Sequence, residues 1–599
     1  MEKWFVSAKK ADFSEWAREF SISPVLARII RNRDITEKEQ VEKFLHGSLK
    51  DCYSPWLLKD CEKAVERILQ GIRDEEAIRV IGDYDVDGIC SSYILTKGLR
   101  VFGGRVDTAI PHRIHDGYGL NENLIEEACT DGVKLIVTCD NGIAAAPQIA
   151  LAVEKGISVV VTDHHEVPFH MIDGKKEEIL PPAEAIVDPK REGCPYPFKS
   201  ICGGVVAYKL IEACGELLVK ENVITQEKLQ ELLTELLQFA AIATVCDVME
   251  LKDENRILVK EGLRLLRNTE NPGIRALMEV NGIKPSDLSA YHLGFVLGPC
   301  MNATGRLDTA LRALELLQSS TKTEAMGAAA ELKELNESRK NLTLKGVEAA
   351  VSAIEARGEN LDKVLVVYLP EVHESLAGII AGRLRERYHH PVFVLTKAEE
   401  GVKGSGRSIE TYHMFENMCA VRECFSKFGG HKLAAGLSLA PRFDTPKEDV
   451  EAFRRAINEN CTLTEDDFIP RIRIDVPMPM SYASMELARD LAKLEPFGVG
   501  NPKPLFAQKD LIFVRGFKMG AKQNCARFRV QQAEGSEGEL VFFNDLEGFG
   551  RFLDEKFGPG SSIRMYQENC HFQISVTYQL SINSYRGQER LQFIMQNYC

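Results

Sequence analysis

Between residues 75 and 190, short β-branched runs alternate with segments of helical period. "AIRVIGDYD" precedes "ICSSYILTKGLRVFG", "VKLIVTCDNG" precedes "APQIALAVEKG", and "ISVVVTDHHE" and "AEAIVDPK" follow. Strands that alternate with helices predict a parallel sheet with crossover helices. The pattern from 205 to 315 is mostly helical, and we expect it to complete this first domain.

A long helical segment separates this region from a second alternating pattern. "TEAMGAAAELKELNESRKNLTLKGVEAAVSAIEARG" contains no proline and keeps a helical period. It could be a helix of an ordinary bundle, but because it stands between two α/β patterns we favour a long connecting helix. The second pattern begins at "KVLVVYLP", continues through "LAGIIAGRLRERY" and "PVFVLT", and ends near residue 460.

The C-terminal region has a different pattern. After "LEPFGVGNPKPLF", apolar and polar residues alternate in "LIFVRGFKMG", "ARFRVQQ" and "FQISVTYQLSINSYRG". This alternation predicts a small antiparallel barrel of OB-fold size. Because a barrel needs aromatic residues inside, we expect Phe506 and Phe528 to be core. The chain is therefore predicted to be an α/β multidomain protein with a parallel-sheet domain, a long connecting helix, a smaller α/β domain and a C-terminal OB-fold β-barrel.

Composition limits the function classes. Lys and Arg number 74 against 88 Asp and Glu, a net charge of −14, so any nucleic-acid surface must be local or built partly from bound cations. The 16 cysteines form no C-x-x-C pair, which favours free thiols in a reducing compartment. The start lacks an apolar signal segment, and the longest nearly uncharged run, "QFAAIATVC", is too short to span a bilayer. We expect a soluble cytoplasmic protein.

The stretch "GDYDVDG" places Asp83, Asp85 and Asp87 at alternating positions after a predicted strand. Side chains two apart on an extended segment share a side, so these carboxylates face one point and repel unless cations lie between them. A calcium loop of the EF-hand type needs a Glu at its twelfth position, which is Ile94 here, and that interpretation fails. A solvated turn remains an alternative.

Repetition favours function over a solvated turn. "TCDNG" places Asp140 after another predicted strand, and "TDHHE" places Asp163, His164 and His165 after a third. Ligands of an open parallel sheet gather beyond the carboxyl ends of its strands. Oxygen-rich ligands suit Mg²⁺ or Mn²⁺, and imidazole tilts the preference toward Mn²⁺. Two such ions about 3.5 to 4 Å apart can clamp an in-line displacement at phosphorus, which indicates phosphoester hydrolysis.

In this order, "GDYDVDG", "TCDNG", "TDHHE", the Asp of "ATVCDVMEL", "GPCMNATGRL" and "FGGHKLAAG" resemble the DHH phosphoesterase superfamily. The added segments "DPKREGCPYPFKSICGGVVAYKL" and "LEPFGVGNPKPLF" make the chain similar to its RecJ-type single-strand-specific exonucleases from about Leu45 to the end. The resemblance implies these domains: an N-terminal extension at 1–50, a DHH catalytic domain at 51–315, a connecting helix at 316–360, a DHHA1 substrate-binding domain at 361–460 and an OB-fold DNA-binding domain at 461–599.

The resemblance also implies site residues. His165, Asp85 and Asp140 would be catalytic, with His165 beside the scissile phosphate or a metal. The metal shell would be Asp83, Asp85, Asp87, Asp140, His164 and Asp247. Substrate contacts would be Arg113, Tyr118, Asn302, Arg306, Arg383, Ser405, Arg407, Gly429, Gly430 and His431. The family tends to have Gly and Val at the positions of Ser375 and Leu376, so this chain departs from the pattern there.

The implied activity is single-stranded-DNA-specific 5′ to 3′ exonuclease action in DNA recombination and repair, with two divalent cations, Mn²⁺ preferred or Mg²⁺. The implied partner is single-stranded DNA with a 5′ end, together with a single-strand-binding protein and a helicase; the chain is expected to be a monomer with no membrane role. Two alternatives stay open: a DHH phosphoesterase of short oligonucleotides or cyclic dinucleotides, and a catalytically silent DHH scaffold.

Overall fold

The computed structural model describes residues 2–112, 119–172, 175–358, 360–398, 401–520, 523–532, 534–585 and 587–599. The chain forms two compact units. The α/β unit contains Cys52–Met249 and Leu258–Phe468. The barrel unit contains three separate segments: Met1–Asp51, Glu250–Ile257 and Ile469–Cys599.

The α/β unit begins with a five-stranded parallel sheet, which confirms the predicted architecture. Its strands, in spatial order, are Arg105–Ala109, Ala77–Ile81, Leu135–Cys139, Ser158–Thr162 and Ala185–Val187. The three middle strands are almost continuously apolar and buried, as expected for a sheet covered on both faces. The surrounding helices are Cys61–Arg73, Val86–Val101, Glu122–Thr130, Ala146–Glu154, Gly203–Lys220 and Gln226–Cys246. A hairpin of Phe169–Ile172 and Lys175–Glu178 follows the fourth strand in the chain.

The helix Gln226–Cys246 is, among the described residues, the one helix with the length and apolar composition of a membrane span. Of its most apolar window, 67% is buried inside the protein, as in a core helix. It packs against Val86–Val101 and Gly203–Lys220.

Helices connect this sheet to a second one. They are Asp253–Leu266, Pro272–Val280, Gly298–Leu307, Leu311–Gln318 and Lys322–Glu355. The last has 34 residues, about 50 Å at 1.5 Å per residue, and starts with a capping box in which Thr321 and Glu324 bind each other's backbone N–H. It is the predicted connecting helix.

The second sheet of the α/β unit has five strands. In spatial order they are Phe425–Gly430, Ala434–Leu439, Val402–Arg407, Val392–Lys397 and Leu365–Tyr368. The last two pair in parallel and the others are antiparallel. The helices Ala377–Tyr388, Met414–Cys419 and Pro446–Glu459 complete this region.

The barrel unit contains a six-stranded sheet, and five of its strands close into a barrel. The strands of the sheet are, in order, Val476–Pro477, Phe506–Met519, Cys525–Gln531, Glu537–Phe542, Gln588–Tyr598 and Phe572–Tyr585, and the last also pairs with Phe506–Met519. The barrel is not wholly antiparallel as predicted, because Glu537–Phe542 pairs in parallel with Gln588–Tyr598. Two helices, Leu546–Phe557 and Ser561–Gln567, lie between its strands in sequence. Phe506 and Phe528 are fully buried in its core, as predicted.

N-terminal and inserted segments are built into this barrel unit. Strand Lys3–Val6 pairs in parallel with Arg471–Ile474, and helices Phe13–Glu19, Pro24–Asn32, Lys38–His46 and Met485–Ala492 share its core. Arg33 forms a buried ion pair with Asp475, with an Nη1 to Oδ1 distance of 2.6 Å. Arg256, from the inserted segment, is 2% exposed, covers the ring of Phe44 at 3.9 Å and donates to the Phe44 and Leu494 carbonyls.

Candidate metal centre

Carboxylates gather where the strand Ala77–Ile81 ends. Asp83 is 2% exposed and Asp87 1%. Asp85 is the N-cap of helix Val86–Val101: its Oδ1 accepts N–H bonds from Asp87 at 2.8 Å and Gly88 at 3.2 Å. The helix cap therefore fixes the "DYDVDG" loop, because its carboxylate takes two of the N–H groups that a helix start leaves unsatisfied.

Asp140 follows the neighbouring strand in a strained conformation. Its φ is +60°, in the left-handed region that non-glycine residues rarely adopt. The adjacent Asn141 holds the turn, since its Nδ2 donates to the carbonyls of Ile81 at 3.1 Å and Cys139 at 2.9 Å. Strain of this kind, about 1 to 3 kcal/mol, persists where the surrounding structure enforces it and is common at functional sites.

His164 brings the carboxylates together. Its Nε2 lies 3.0 Å from Asp140 Oδ1, 3.5 Å from Asp87 Oδ2 and 3.7 Å from Asp247 Oδ2. Asp247 ends the helix Gln226–Cys246 and its side chain is 26% exposed. Four residues from distant parts of the sequence thus converge on one point at the carboxyl edge of the sheet, as predicted for open parallel sheets.

Asp163 orients both histidines. Its Oδ1 accepts the backbone N–H of His164 at 2.7 Å and of His165 at 3.1 Å, and lies 2.7 Å from Nδ1 of the His165 ring. Its Oδ2 accepts the N–H of Ile143 at 2.9 Å. Although burial favours the neutral acid, these contacts lower the pKa of Asp163 to about 2. The Asp163 carboxylate in turn raises the pKa of the partly exposed His165 to about 9, against the opposing effect of desolvation.

Asp87 is held by a helix start from elsewhere in the chain. Its two oxygens accept the N–H groups of Gly203 and Gly204, each at 2.7 Å, in the first turn of Gly203–Lys220. A helix N-terminus is a natural anion site. Glycine is required at Gly203 because a Cβ there would lie 2.7 Å from Asp140 Cβ.

The electrostatics of the cluster fit divalent cations. Burial and the charge of Asp87 raise the pKa of Asp85 and raise that of Asp140 well above its usual value. The same causes raise the pKa of Asp247 to about 8. Burial lowers the pKa of His164, which favours the neutral imidazole that binds metal. Cations would relieve this repulsion.

Three triads in the described residues bring ligand atoms within 4.8 Å of one another. They are Asp83 with Asp85 and Asp140; Asp87 with His164 and Asp247; and Asp140 with His164 and His165. All six predicted metal ligands and His165 therefore lie in one overlapping cluster. Their oxygen-rich donors with imidazole suit Mn²⁺ or Mg²⁺.

Asn302 and Arg306 lie on the helix Gly298–Leu307, against the carboxylate loop. Asn302 Oδ1 accepts the N–H of Val86 at 3.2 Å, next to Asp85. Arg306 Nη1 donates to the Ser375 carbonyl at 2.6 Å, and Ser375 Oγ donates to the Arg306 carbonyl at 3.1 Å. Serine at the position where the family tends to have glycine thus contacts the arginine directly. The predicted contacts Arg113 and Tyr118 lie outside the described residues.

Several of the predicted substrate contacts lie on strands of the second sheet. Ser405 pairs with Gly436, which pairs with Gly429 on the next strand. A Cβ on either glycine would meet nothing within 4 Å, so Ser405 faces a strip of open backbone. Arg407 lies two residues along the same strand, and its Nη2 would be 3.0 Å from a Cβ on Gly378, at the start of helix Ala377–Tyr388.

Two of the remaining predicted contacts, Gly430 and His431, follow Gly429 directly in the chain. Gly430 pairs with Ala435 at a φ of +151°, and the N–H of His431 donates to the Ala434 carbonyl at 2.8 Å. Arg383 lies farther along helix Ala377–Tyr388; its side chain is 67% exposed and 3.5 Å from Glu386.

An exposed aromatic side chain on the barrel unit, Phe517, was not predicted from the sequence. Phe517 is 40% exposed, with the guanidinium of Arg515 5.6 Å and that of Arg527 5.5 Å from its ring centre. Lys518 lies 5.2 Å from the ring centre of Tyr566 on the neighbouring helix. Cations interleaved with aromatic rings are the usual surface for single-stranded nucleic acid.

Comparison with known proteins identifies the family. Three family models match: "DHH family, N-terminal domain" over residues 77–244, "DHHA1 domain" over 361–462 and "RecJ OB domain" over 474–597. The chain is 34% identical over 584 residues to the single-stranded-DNA-specific exonuclease RecJ of Bacillus subtilis, covering 97% of this chain and 68% of that protein. With RecJ of Salmonella typhimurium it shares 34% identity over 592 residues, covering 96% and 95%. The chain belongs to the RecJ family.

Solved RecJ structures share the fold. The Mn²⁺ complex of RecJ from Thermus thermophilus has a TM-score of 0.78 at 25% identity, with 100% of this chain and 79% of that chain covered. A manganese-bound exonuclease RecJ has a TM-score of 0.55 at 30% identity over 66% of this chain and 95% of that chain.

Two positioning elements of this RecJ-family chain were missed at the level of sequence. Asp163 stands in the "TDHHE" motif, but its role depends on the N–H of Ile143, twenty residues earlier. Gly203 and Gly204 reach Asp87 across 116 and 117 residues of chain. The available signal was the Gly-Gly pair at a predicted helix start, a pattern typical of anion binding.

Proposed function

We propose that this chain is a single-stranded-DNA-specific exonuclease that hydrolyses phosphodiester bonds from the 5′ end, in DNA recombination and repair. The observation that carries the proposal is the buried cluster of five aspartates and His164 at the carboxyl edge of the first sheet, in a chain of the RecJ family. RecJ of Thermus thermophilus forms crystalline complexes with Mn²⁺ and with Mg²⁺.

Two divalent cations, Mn²⁺ preferred or Mg²⁺, fit this cluster. The residues that would hold them are Asp83, Asp85, Asp87, Asp140, His164 and Asp247. When bound, the cations would stabilise the attacking and leaving oxygens of an in-line displacement at phosphorus. The N–H groups of Gly203 and Gly204 fix Asp87, and the strained turn at Asp140 fixes a second carboxylate, so the ligands need little reorganisation.

His165 supplies a proton and a positive charge beside the cluster. Its Nδ1 lies 2.7 Å from Asp163 Oδ1, so Nε2 is the ring atom that would serve a substrate. Although burial lowers the pKa of His165, the contact with the Asp163 carboxylate raises it more, which favours the protonated ring. It would offset negative charge that develops on the phosphoryl oxygens and donate a proton to the departing 3′ oxygen.

The second sheet supports 5′-end recognition. Ser405 and Arg407 face the N-terminal turn of helix Ala377–Tyr388 beside the open strip of Gly429 and Gly436. Backbone N–H groups, a hydroxyl and a guanidinium are the donors that a terminal phosphate takes. Replacing Arg407 with Ala should raise KM about tenfold for a 5′-phosphorylated strand and little for a 5′-hydroxyl strand. Arg385→Ala, on the outer part of that helix, is the control; equal effects of both variants on both substrates would contradict the pocket.

The barrel unit supports binding of the incoming strand. The rings and cations around Phe517 provide stacking and charge, in a protein whose net charge of −14 otherwise repels DNA. We also propose that a helicase and a single-strand-binding protein supply the substrate, since a duplex must be opened first. The 16 free cysteines support a reducing, cytoplasmic compartment, and we propose that the chain acts as a monomer.

The test uses a long single strand labelled at its 5′ end, with Mn²⁺, beside 3′-labelled and duplex counterparts. Early release of short products from the 5′ label alone, and none from duplex, is expected. Asp140→Asn should abolish it, while Asp131→Asn, a surface carboxylate paired with Arg79, should not. Survival of long strands while dinucleotides to tetranucleotides disappear would favour the small-substrate alternative, and binding without cleavage the scaffold.

A further inference from the structure

Tyr291 and Phe295 form an exposed aromatic pair on the α/β unit. Their ring centres are 5.1 Å apart and their planes 21° apart, so the rings are stacked. They are 62% and 70% exposed, and Phe295 is the most exposed large hydrophobic side chain among the described residues. Two adjacent rings left in water contribute nothing to a core, and such patches typically mark a binding surface.

The aromatic pair lies beside the helix end that carries Asp247. Cys246 Sγ, one residue before it, is 3.6 Å from the Leu293 carbonyl oxygen. The backbone that carries Phe295 forms a π-helical turn, Leu293–Leu297, which begins two residues after Tyr291. π-Helical turns are rare and are frequently found at functional sites, where they displace side chains from the regular helix path.

The same helical stretch continues to the carboxylate loop. It runs without a break from Ala290 to Leu307: the α-helical residues Ala290–His292, then the π-helical turn, then the helix Gly298–Leu307. Its later residues include Asn302, which holds the N–H of Val86 beside the carboxylates, and Arg306. One rigid segment therefore carries a stacked aromatic pair near its start and proposed phosphate-handling residues near its end.

We propose that Tyr291 and Phe295 are a base-stacking platform for an unpaired nucleobase of the strand under digestion, a proposal that rests on the proposed function. Every base offers a π-face, so an aromatic surface next to a phosphodiester-cleaving centre matches the alternating phosphate and base of a single strand. In a duplex both faces of each base are covered by its neighbours, so the platform would also favour single strands over duplex.

The test places a single abasic nucleotide at successive positions from the 5′ end of a 5′-phosphorylated strand. The rate at which wild-type protein digests the strand should fall about tenfold when the abasic nucleotide is at the one or two positions where the missing base would have met the platform. The double variant Tyr291→Ala/Phe295→Ala should digest the intact strand more slowly than wild-type protein by a similar factor. An abasic nucleotide at those positions should not reduce its rate further. Both side chains are exposed, so the variant is expected to fold.

Two further variants sharpen the test. Tyr482→Ala removes a ring that is 61% exposed on the barrel unit and should keep the wild-type abasic profile. Tyr291→Leu/Phe295→Leu keeps an apolar surface without rings and should behave like the alanine variant. Wild-type behaviour of the leucine variant would overturn base stacking and favour a protein partner at this surface.

A binding assay distinguishes a failure of the platform proposal from a failure of the proposed exonuclease function. Anisotropy of a labelled single strand with metal-free protein should show weaker binding by about tenfold for the alanine variant. If wild-type protein binds this way but cleaves no strand, the exonuclease proposal fails and the platform stands. If wild-type protein digests single strands and the alanine variant has the same rate, binding and abasic profile, the platform is overturned and the exonuclease stands.

Discussion

Asp163 and Asp188 are buried aspartates whose surroundings shift their pKa values in opposite directions. Asp163 is 1% exposed and accepts four N–H contacts, which lower its pKa to about 2. Asp188 is fully buried. The backbone N–H of Lys190 donates to its Oδ1 at 2.7 Å, and its Oδ2 has no hydrogen-bond partner among the described residues. Burial, followed by the charge of Asp163, raises the pKa of Asp188 to about 8. The same Asp→Asn substitution should therefore have opposite effects on stability.

The magnitudes follow from these pKa values and a reference value of 3.8. The lowered pKa of Asp163 stabilises the folded state above pH 3.8, an effect lost only as the pH falls through about 2. Asp163→Asn should therefore lower the free energy of unfolding by about 2 kcal/mol at both pH 5 and pH 7. The raised pKa of Asp188 has a cost that grows as the pH rises from 3.8 to about 8. Asp188→Asn should stabilise by up to about 2 kcal/mol at pH 5 and about 4 kcal/mol at pH 7.

Urea unfolding of metal-free protein measures both changes. Trp56 is the one tryptophan of the three that belongs to the α/β unit, and its Nε1 donates to Glu216 at 2.6 Å. In a Trp4→Phe/Trp16→Phe background its fluorescence follows that unit alone. The reasoning is refuted if both Asn variants lose stability equally, or if the difference between them does not widen from pH 5 to pH 7.

Three further predictions concern the metal centre and the barrel unit. Burial and neighbouring carboxylates raise the pKa of Asp247 to about 8, so metal-free protein should lose stability as the pH rises from 4 to 8. Mn²⁺ should restore the stability, and Asp247→Asn should weaken both the pH effect and the Mn²⁺ effect; calorimetry measures all three. Gly203→Ala, which places a methyl 2.7 Å from Asp140 Cβ, should cut the nuclease rate at least about tenfold, whereas Gly327→Ala, in open space on a helix, should leave it unchanged. Arg33→Met leaves a buried carboxylate without its cation and should destabilise the barrel unit by about 3 to 5 kcal/mol in urea; a loss below about 1 kcal/mol would contradict a structural role for the pair.

The position of the metal centre could be predicted because it depends on local rules. Asp83, Asp140 and His164 each follow a buried strand, and the carboxyl ends of parallel strands share one edge. The residues that hold these metal ligands in place could not be predicted in the same way. The Gly-Gly pair indicates a helix start that can bind an anion, but the sequence does not show which anion it binds. Gly203 and Gly204 meet Asp87, and Asp163 meets the N–H of Ile143, only after the sheet has formed.

Phe517 shows a second limit of sequence patterns. Phe513 and Phe517 are an even number of residues apart on one strand, so simple alternation places both on the same face. Phe513 is fully buried, while Phe517 is 40% exposed. The pairing register shifts between Phe513 and Arg515, and this bulge reverses the faces that follow it. A one-residue irregularity set by strand pairing thus decides which aromatic meets solvent.

The three-part makeup of the barrel unit limits how the gene can be divided. A truncated chain of residues 52–468 would keep Glu250–Ile257 but lose Phe44, Leu494 and Val499, whose carbonyl groups this segment binds in the full chain. Leu251, Arg256 and Ile257 are nearly inaccessible in the full chain and would become exposed. The exposed segment, which begins three residues after Asp247, would be prone to aggregation and proteolysis. No single breakpoint separates the units, so the barrel cannot be exchanged between relatives as a cassette: recombination that preserves function must carry all three segments from one parent.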